Sequence, residues 1–111
     1  KEGQNLGPTP KEVFLMSVAG CSGMDIISIL KKKRLDVLEF RIHVTAEEQT
    51  AEHPYVFTKA AIHYILKGKN LTEDAVKQAI DLSQEKYCGV SEMMRKAFPI
   101  SFTFEFSNVK E

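Results

Sequence analysis

Tryptophan is absent from these 111 residues, the formal net charge is zero, and cysteine occurs only as Cys21 and Cys88. With 15 basic residues balanced by 15 acidic ones, no global basic field exists to gather nucleic acid or an anionic membrane. Two cysteines are too few for the disulfide framework of a small secreted domain, and no signal-peptide pattern is seen. A reducing, cytoplasmic setting is therefore expected. Long apolar runs are lacking too: Ser, Gly and Asp interrupt each stretch short of the ~20 residues that a membrane-spanning helix needs. Repeats and low-complexity segments are missing. The first residue is Lys1 rather than Met, so a longer parent chain is expected. What is present, 43% hydrophobic and 27% charged residues, is ordinary for one soluble globular domain spanning 1–111.

After a polar opening with Gly3, Gly7 and Pro8, Thr9-Pro10-Lys11-Glu12 marks a helix start. Thr9 is a good N-cap, Pro10 suits the first helical position, and Glu12 completes a capping box. The helix is expected to run to about Lys33, with Lys31, Lys32, Lys33 and Arg34 placing positive charge at its C-terminal end. Val13, Phe14, Leu15, Met16, Val18, Ala19, Met24, Ile26, Ile27, Ile29 and Leu30 make it apolar on nearly every side. Such a helix is expected to be buried all round, by a sheet or by a partner subunit.

Leu38, Phe40, Ile42 and Val44 alternate with polar residues and read as a strand, and Ala46 to Pro54 reads as a loop. A second strand is expected over Val56–Leu66, antiparallel to the first, with Ile62, Tyr64 and Leu66 on one face. Thr72 caps a second helix stapled by Leu71 and Val76, whose buried face carries Val76, Ala79, Ile80, Ser83 and Tyr87. Cys88-Gly89 breaks it, Ser91 is the expected cap of a short third helix, and Pro99 stops that helix. Ile100, Phe102, Phe104 and Phe106 mark a last strand. The class is α+β, a long buried central helix packed on an antiparallel sheet. Three strands are few to cover such a helix, so preceding strands or a second subunit must supply the rest.

Cys21 lies mid-helix between Gly20 and Gly23, each costing about 1 kcal/mol of helix propensity relative to Ala. These glycines permit close approach of a backbone or substrate, or simply tight helix packing. Cys88 lies just ahead of the third helix, where first-turn amides favour a thiolate. Spacing alone leaves open whether the two thiols pair or are buried separately. Asp25, four residues after Cys21, falls on a neighbouring helix face, where a carboxylate raises a thiol pKa. His43, His53 and His63 match no zinc spacing with the cysteines, so neither a metal site nor a cofactor is expected.

The segment Gly7-Pro8-Thr9-Pro10-Lys11-Glu12-Val13-Phe14-Leu15, leading to Ala19-Gly20-Cys21-Ser22-Gly23-Met24-Asp25, resembles the central helix of the OsmC/Ohr family. Asn70-Leu71-Thr72-Glu73 and Lys86-Tyr87-Cys88-Gly89-Val90-Ser91 resemble its later part, nearest the YhfA-type branch. The resemblance covers nearly the whole chain and implies an OsmC-like domain lacking the family's N-terminal strands and completed by dimerisation. It implies that Cys21 is the peroxidatic thiol and Cys88 the resolving thiol of a peroxidase acting on organic hydroperoxides, and also on hydrogen peroxide. The implied partners are a second copy, the peroxide and a dithiol reductant, with no nucleic acid and no membrane.

In that family an arginine on an N-terminal strand, held by a glutamate directly after the helix-opening proline, stabilises the thiolate. Here Lys11 follows Pro10, Glu12 comes one position late, and Arg34, Arg41 and Arg95 lie outside such a strand. At ~100° per residue Glu12 and Cys21 point to opposite helix faces, which makes Glu12 a capping residue and Lys11 a weak substitute cation. The alternative reading is a non-catalytic OsmC-like subunit binding a small apolar molecule in an interface pocket.

Overall fold

Thr9 accepts the Glu12 amide and Glu12 returns a carboxylate oxygen to the Thr9 amide, both at 3.2 Å, so the chain's first helix starts where its capping box demands. The computed structural model describes residues 7–109. Helix α1 spans Pro10–Lys32. It ends in a Schellman arrangement, with Arg34 at φ 62°, the Arg34 amide on the Lys31 carbonyl and the Leu35 amide on that of Leu30. Strand β1 (Asp36–Gln49) and strand β2 (Phe57–Lys69) follow, then α2 (Glu73–Leu82), a π turn (Ser83–Tyr87), α3 (Gly89–Arg95) and β3 (Ile100–Asn108).

The sheet order is β1-β2-β3. β1 and β2 are antiparallel as expected, but β3 runs parallel to β2, so the sheet is mixed rather than antiparallel throughout. The reason is the connection: a helical crossover returns the chain to the starting edge, and the next strand points the same way. Phe104 and Phe106 stay half-buried and Phe102 is exposed, which gave β3 the alternation of a one-sided strand. β1 also runs further than expected, to Gln49, displacing the loop to the segment after it. Its register shifts between Val37 and Glu39, and Leu38 at that bulge is exposed, not buried.

Ala60, Ile62, Tyr64 and Leu66 of β2 form the floor of the core, roofed by Val18, Ile26 and Leu30 of α1 and by Val76, Ala79 and Ile80 of α2. Gly23 lets α1 settle on β1, since a Cβ there would stand 2.9 Å from Ile42 Cδ1. Gly20 is exposed and meets nothing within 4 Å, so its presence is unexplained by packing in this chain. Only one stripe of α1 is buried, Leu15, Val18, Ser22, Gly23, Ile26 and Leu30. Val13, Met16, Met24 and Ile27 are exposed, which corrects the expectation of burial all round. By length and hydropathy α1 resembles a membrane span, a likeness its scattered Ser and Gly conceal in the sequence. Its buried stripe packs on the sheet as the chain's core helix.

Ser22, Tyr64, Ser83 and Gln84 bring a linked set of polar side chains into this core. The Ser22 and Tyr64 hydroxyls hydrogen-bond to each other, and the Gln84 amide donates to Ser22 Oγ at 3.2 Å and to Tyr64 OH at 2.9 Å. Ser83 Oγ donates to Asp25 Oδ2 at 3.2 Å. Arg95 closes the far end, donating to the Gln84 side-chain and backbone oxygens and, at 3.0 Å, to Glu92. Buried polar groups must be paired, and this network pairs them by pinning the π turn to α1 and β2. The π turn also explains why Tyr87 is exposed: its Cys88 N–H to Ser83 O bond of 2.7 Å widens the turn and rotates Tyr87 off the α-helical phase.

Gln84→Ala leaves both hydroxyls short of a donor and is expected to cost about 2–3 kcal/mol. Tyr64→Phe is expected to cost about 1 kcal/mol, because Ser22 and Gln84 still reach each other. Urea denaturation checks the order; equal losses would show that the network is not organised around Gln84.

Candidate active site

The network fixes where the two thiols stand. Ser22 adjoins Cys21 on α1, and Ser83 and Gln84 precede Cys88 at the end of the π turn. Cys21 Sγ, Cys88 Sγ and a carboxylate oxygen of Asp25 all lie within 4.8 Å of one another. Both thiols are free. Residues far apart in sequence, whose spacing said nothing about pairing, are thus brought together.

Cys21 occupies the flank of α1 beside the buried stripe and is half-buried, whereas Cys88 is buried. Cys88, not Ser91, is the N-cap of α3: its sulfur accepts the Ser91 amide at 3.4 Å. Ser91 lies inside the helix, fully buried, with a hydroxyl that has no hydrogen-bond partner among the described residues. A thiol accepts as a hydroxyl does at an N-cap, which is why Ser91 was the more obvious reading of this sequence.

Burial pushes the Cys21 thiol above its ordinary value of 9.0. The nearby Val90 backbone amide opposes the rise, while Cys88 and then Asp25 add to it. Tyr64 is raised as well, chiefly by burial, so its hydroxyl stays protonated and available to the network. Asp25 disfavours negative charge on Cys21, as expected, and also accepts a hydrogen bond from Ser83.

Asp25 also lines an open cavity of about 380 Å³ with Ser28, Ile29, Lys32, Lys33, Leu82 and Tyr87. A second cavity, about 480 Å³, is walled by Phe14, Phe57, Phe98 and their neighbours at the opposite end of α1. Lys11 belongs there, with its ammonium 4.8 Å from the centre of the Phe57 ring and bonded to Gln49 at 2.9 Å. It is therefore no substitute cation for Cys21. Glu12 is held in its capping box, and Arg95 is engaged by Gln84 and Glu92. His63 bonds Thr103 at 2.6 Å on the sheet, and His53 packs at a tilt against Tyr55, so neither joins the thiols.

Ser22, Tyr64, Ser83 and Gln84 were missed as site-positioning residues. One signal was available: Tyr64 shares a strand face with Ile62 and Leu66, and a buried tyrosine hydroxyl needs a partner.

The family model described as OsmC-like protein matches residues 3–103. Protein YhfA of Escherichia coli (strain K12) is 43% identical over 98 residues, 88% of this chain and 72% of that protein. The crystal structure of a hypothetical protein from Aquifex aeolicus VF5 superposes with a TM-score of 0.87 at 32% identity, covering 96% of this chain and 79% of that one. An organic hydroperoxide resistance protein OsmC from Legionella pneumophila shares the fold, with a TM-score of 0.70 at 14% identity over 94% of this chain and 74% of its own. With the α+β fold and the thiol pair in place, the chain belongs to the family of OsmC-like proteins.

Proposed function

We propose that this protein is a thiol-dependent peroxidase in which Cys21 reacts with the peroxide and Cys88 resolves the product. The observation that carries the reading is the approach of the two sulfurs to within 4.8 Å, with Cys21 the more accessible. The Cys21 thiolate attacks one peroxide oxygen, the O–O bond breaks, and the leaving alkoxide takes a proton to become an alcohol. Cys21 is then a sulfenic acid. The Cys88 thiol displaces its hydroxyl as water and closes a disulfide. A dithiol reductant returns both thiols by exchange and carries away the disulfide. Organic hydroperoxides are the proposed substrates, with hydrogen peroxide a second.

The protein is proposed to act as a homodimer. Val13, Met16, Met24 and Ile27 leave an apolar flank of α1 open, and the radius of gyration, 15.6 Å, exceeds the roughly 13 Å of a compact chain this long. A second reading rests on the aromatic cavity at the start of α1, which suits a small apolar molecule bound by a non-catalytic subunit.

Three outcomes are expected. Peptide mass mapping after one equivalent of an organic hydroperoxide gives a Cys21–Cys88 disulfide, and Cys88→Ser leaves sulfenic or sulfinic Cys21. Both thiols remaining reduced would instead favour the apolar-binding subunit. Because the Cys21 proton is held more tightly than usual, the oxidation rate should climb about tenfold per pH unit through neutral pH. Asp25→Asn should speed it at neutral pH; a plateau already reached there sinks the protonated-thiol argument. Sedimentation equilibrium should report a dimer at micromolar concentration, and a monomer would remove the proposed assembly.

A further inference from the structure

The thiol pair has a third member that the peroxidase scheme does not use. Asp25 presents a carboxylate oxygen within 4.8 Å of both sulfurs, so two soft ligands and one hard one converge from α1 and from the joint ahead of α3. We propose that the reduced protein binds a thiophilic divalent cation, Zn²⁺ in the first instance, through Cys21 Sγ, Cys88 Sγ and the Asp25 carboxylate, with a fourth position open to solvent. The histidines take no part, which is why their spacing gave no sign of it.

Geometry is close to what such an ion needs. At a Zn–S distance of about 2.3 Å, tetrahedral sulfurs stand roughly 3.8 Å apart, so the ligands need close by only about 1 Å. Chemistry selects the metal: two thiolates favour zinc or cadmium over magnesium or calcium, whose preferred ligands are all oxygen. The ligands are already oriented by neighbours. Ser83 Oγ donates to Asp25 Oδ2 at 3.2 Å, which fixes the direction of the carboxylate. The Ser91 amide donates to Cys88 Sγ at 3.4 Å. Such outer hydrogen bonds fix ligand direction and support charge on sulfur. Asp25 also lines the open cavity beside Lys32 and Tyr87.

This site needs only reduced thiols, so it stands or falls independently of peroxide chemistry. The test is anaerobic titration of the reduced full-length protein with Co²⁺, read in its absorption spectrum. One equivalent per chain should bring a sulfur-to-cobalt charge-transfer band and the intense visible bands of a tetrahedral ion, both removed by Zn²⁺. Cys88→Ser should weaken Co²⁺ at least about 100-fold, and Asp25→Asn about tenfold or more with the charge-transfer band retained. In the unmodified protein, Zn²⁺ should slow alkylation of Cys21 and Cys88 together, which needs no variant to fold. No sulfur-to-cobalt band, a band indifferent to both substitutions, or unchanged alkylation of the two thiols would each overturn the proposal.

Discussion

Everything near the thiols depends on one buried contact, the meeting of the Tyr64, Ser22 and Gln84 polar groups inside a largely apolar core. Tyr64 comes from the central strand, Ser22 from the central helix and Gln84 from the π turn, so three elements share one hydrogen-bond junction. Unmade, each of these bonds would leave a buried polar group costing about 1–3 kcal/mol. The junction therefore allows little freedom in how the π turn sits on α1. Since Cys21 adjoins Ser22 and Cys88 ends the π turn, docking the turn docks the thiols.

The same contact accounts for what the sequence concealed. Boundary chemistry was legible wherever it was local: the Thr9 and Glu12 capping box, the Thr72 cap and the alternation through Ile62, Tyr64 and Leu66 all appear where the residues demand. Features that depend on distant partners were not. The direction of β3 is set by a crossover rather than by Ile100–Phe106 themselves, and the exposure of Tyr87 by an i to i+5 bond that no periodicity announces. The roles of Cys21 and Cys88 came from resemblance, whereas the meeting of Cys88 with Cys21 and Asp25 belongs to the fold alone.

The surroundings of Cys21 pose an energetic problem for its proposed chemistry. Burial, Cys88 and Asp25 all press the proton onto the sulfur, and the Val90 amide alone of the named influences draws it off. Lys11 and Arg95, the cations that sequence position left available, are engaged elsewhere, one on Phe57 and Gln49, the other on Gln84 and Glu92. A thiol held this way trades speed at neutral pH for resistance to indiscriminate oxidation. A positive charge arriving at the site, from a second subunit or from a bound ion, shifts that balance towards the thiolate.

Which sulfur moves when a disulfide closes follows from the same packing. An S–S bond is about 2.05 Å long, so one sulfur has to travel. Cys21 is carried on a helix anchored along its length by Val18, Ser22, Ile26 and Leu30, none more than 1% exposed. Cys88 stands at the joint between a wide turn and a helix of seven residues, held chiefly by the Ser83 carbonyl and by its own bond to Ser91. Swinging its sulfur towards Cys21 gives up the cap on one amide, a loss of order 1 kcal/mol. In the proposed scheme the resolving thiol gains from being a helix cap: the contact that orients it in the reduced protein is weak enough to be exchanged for a covalent bond.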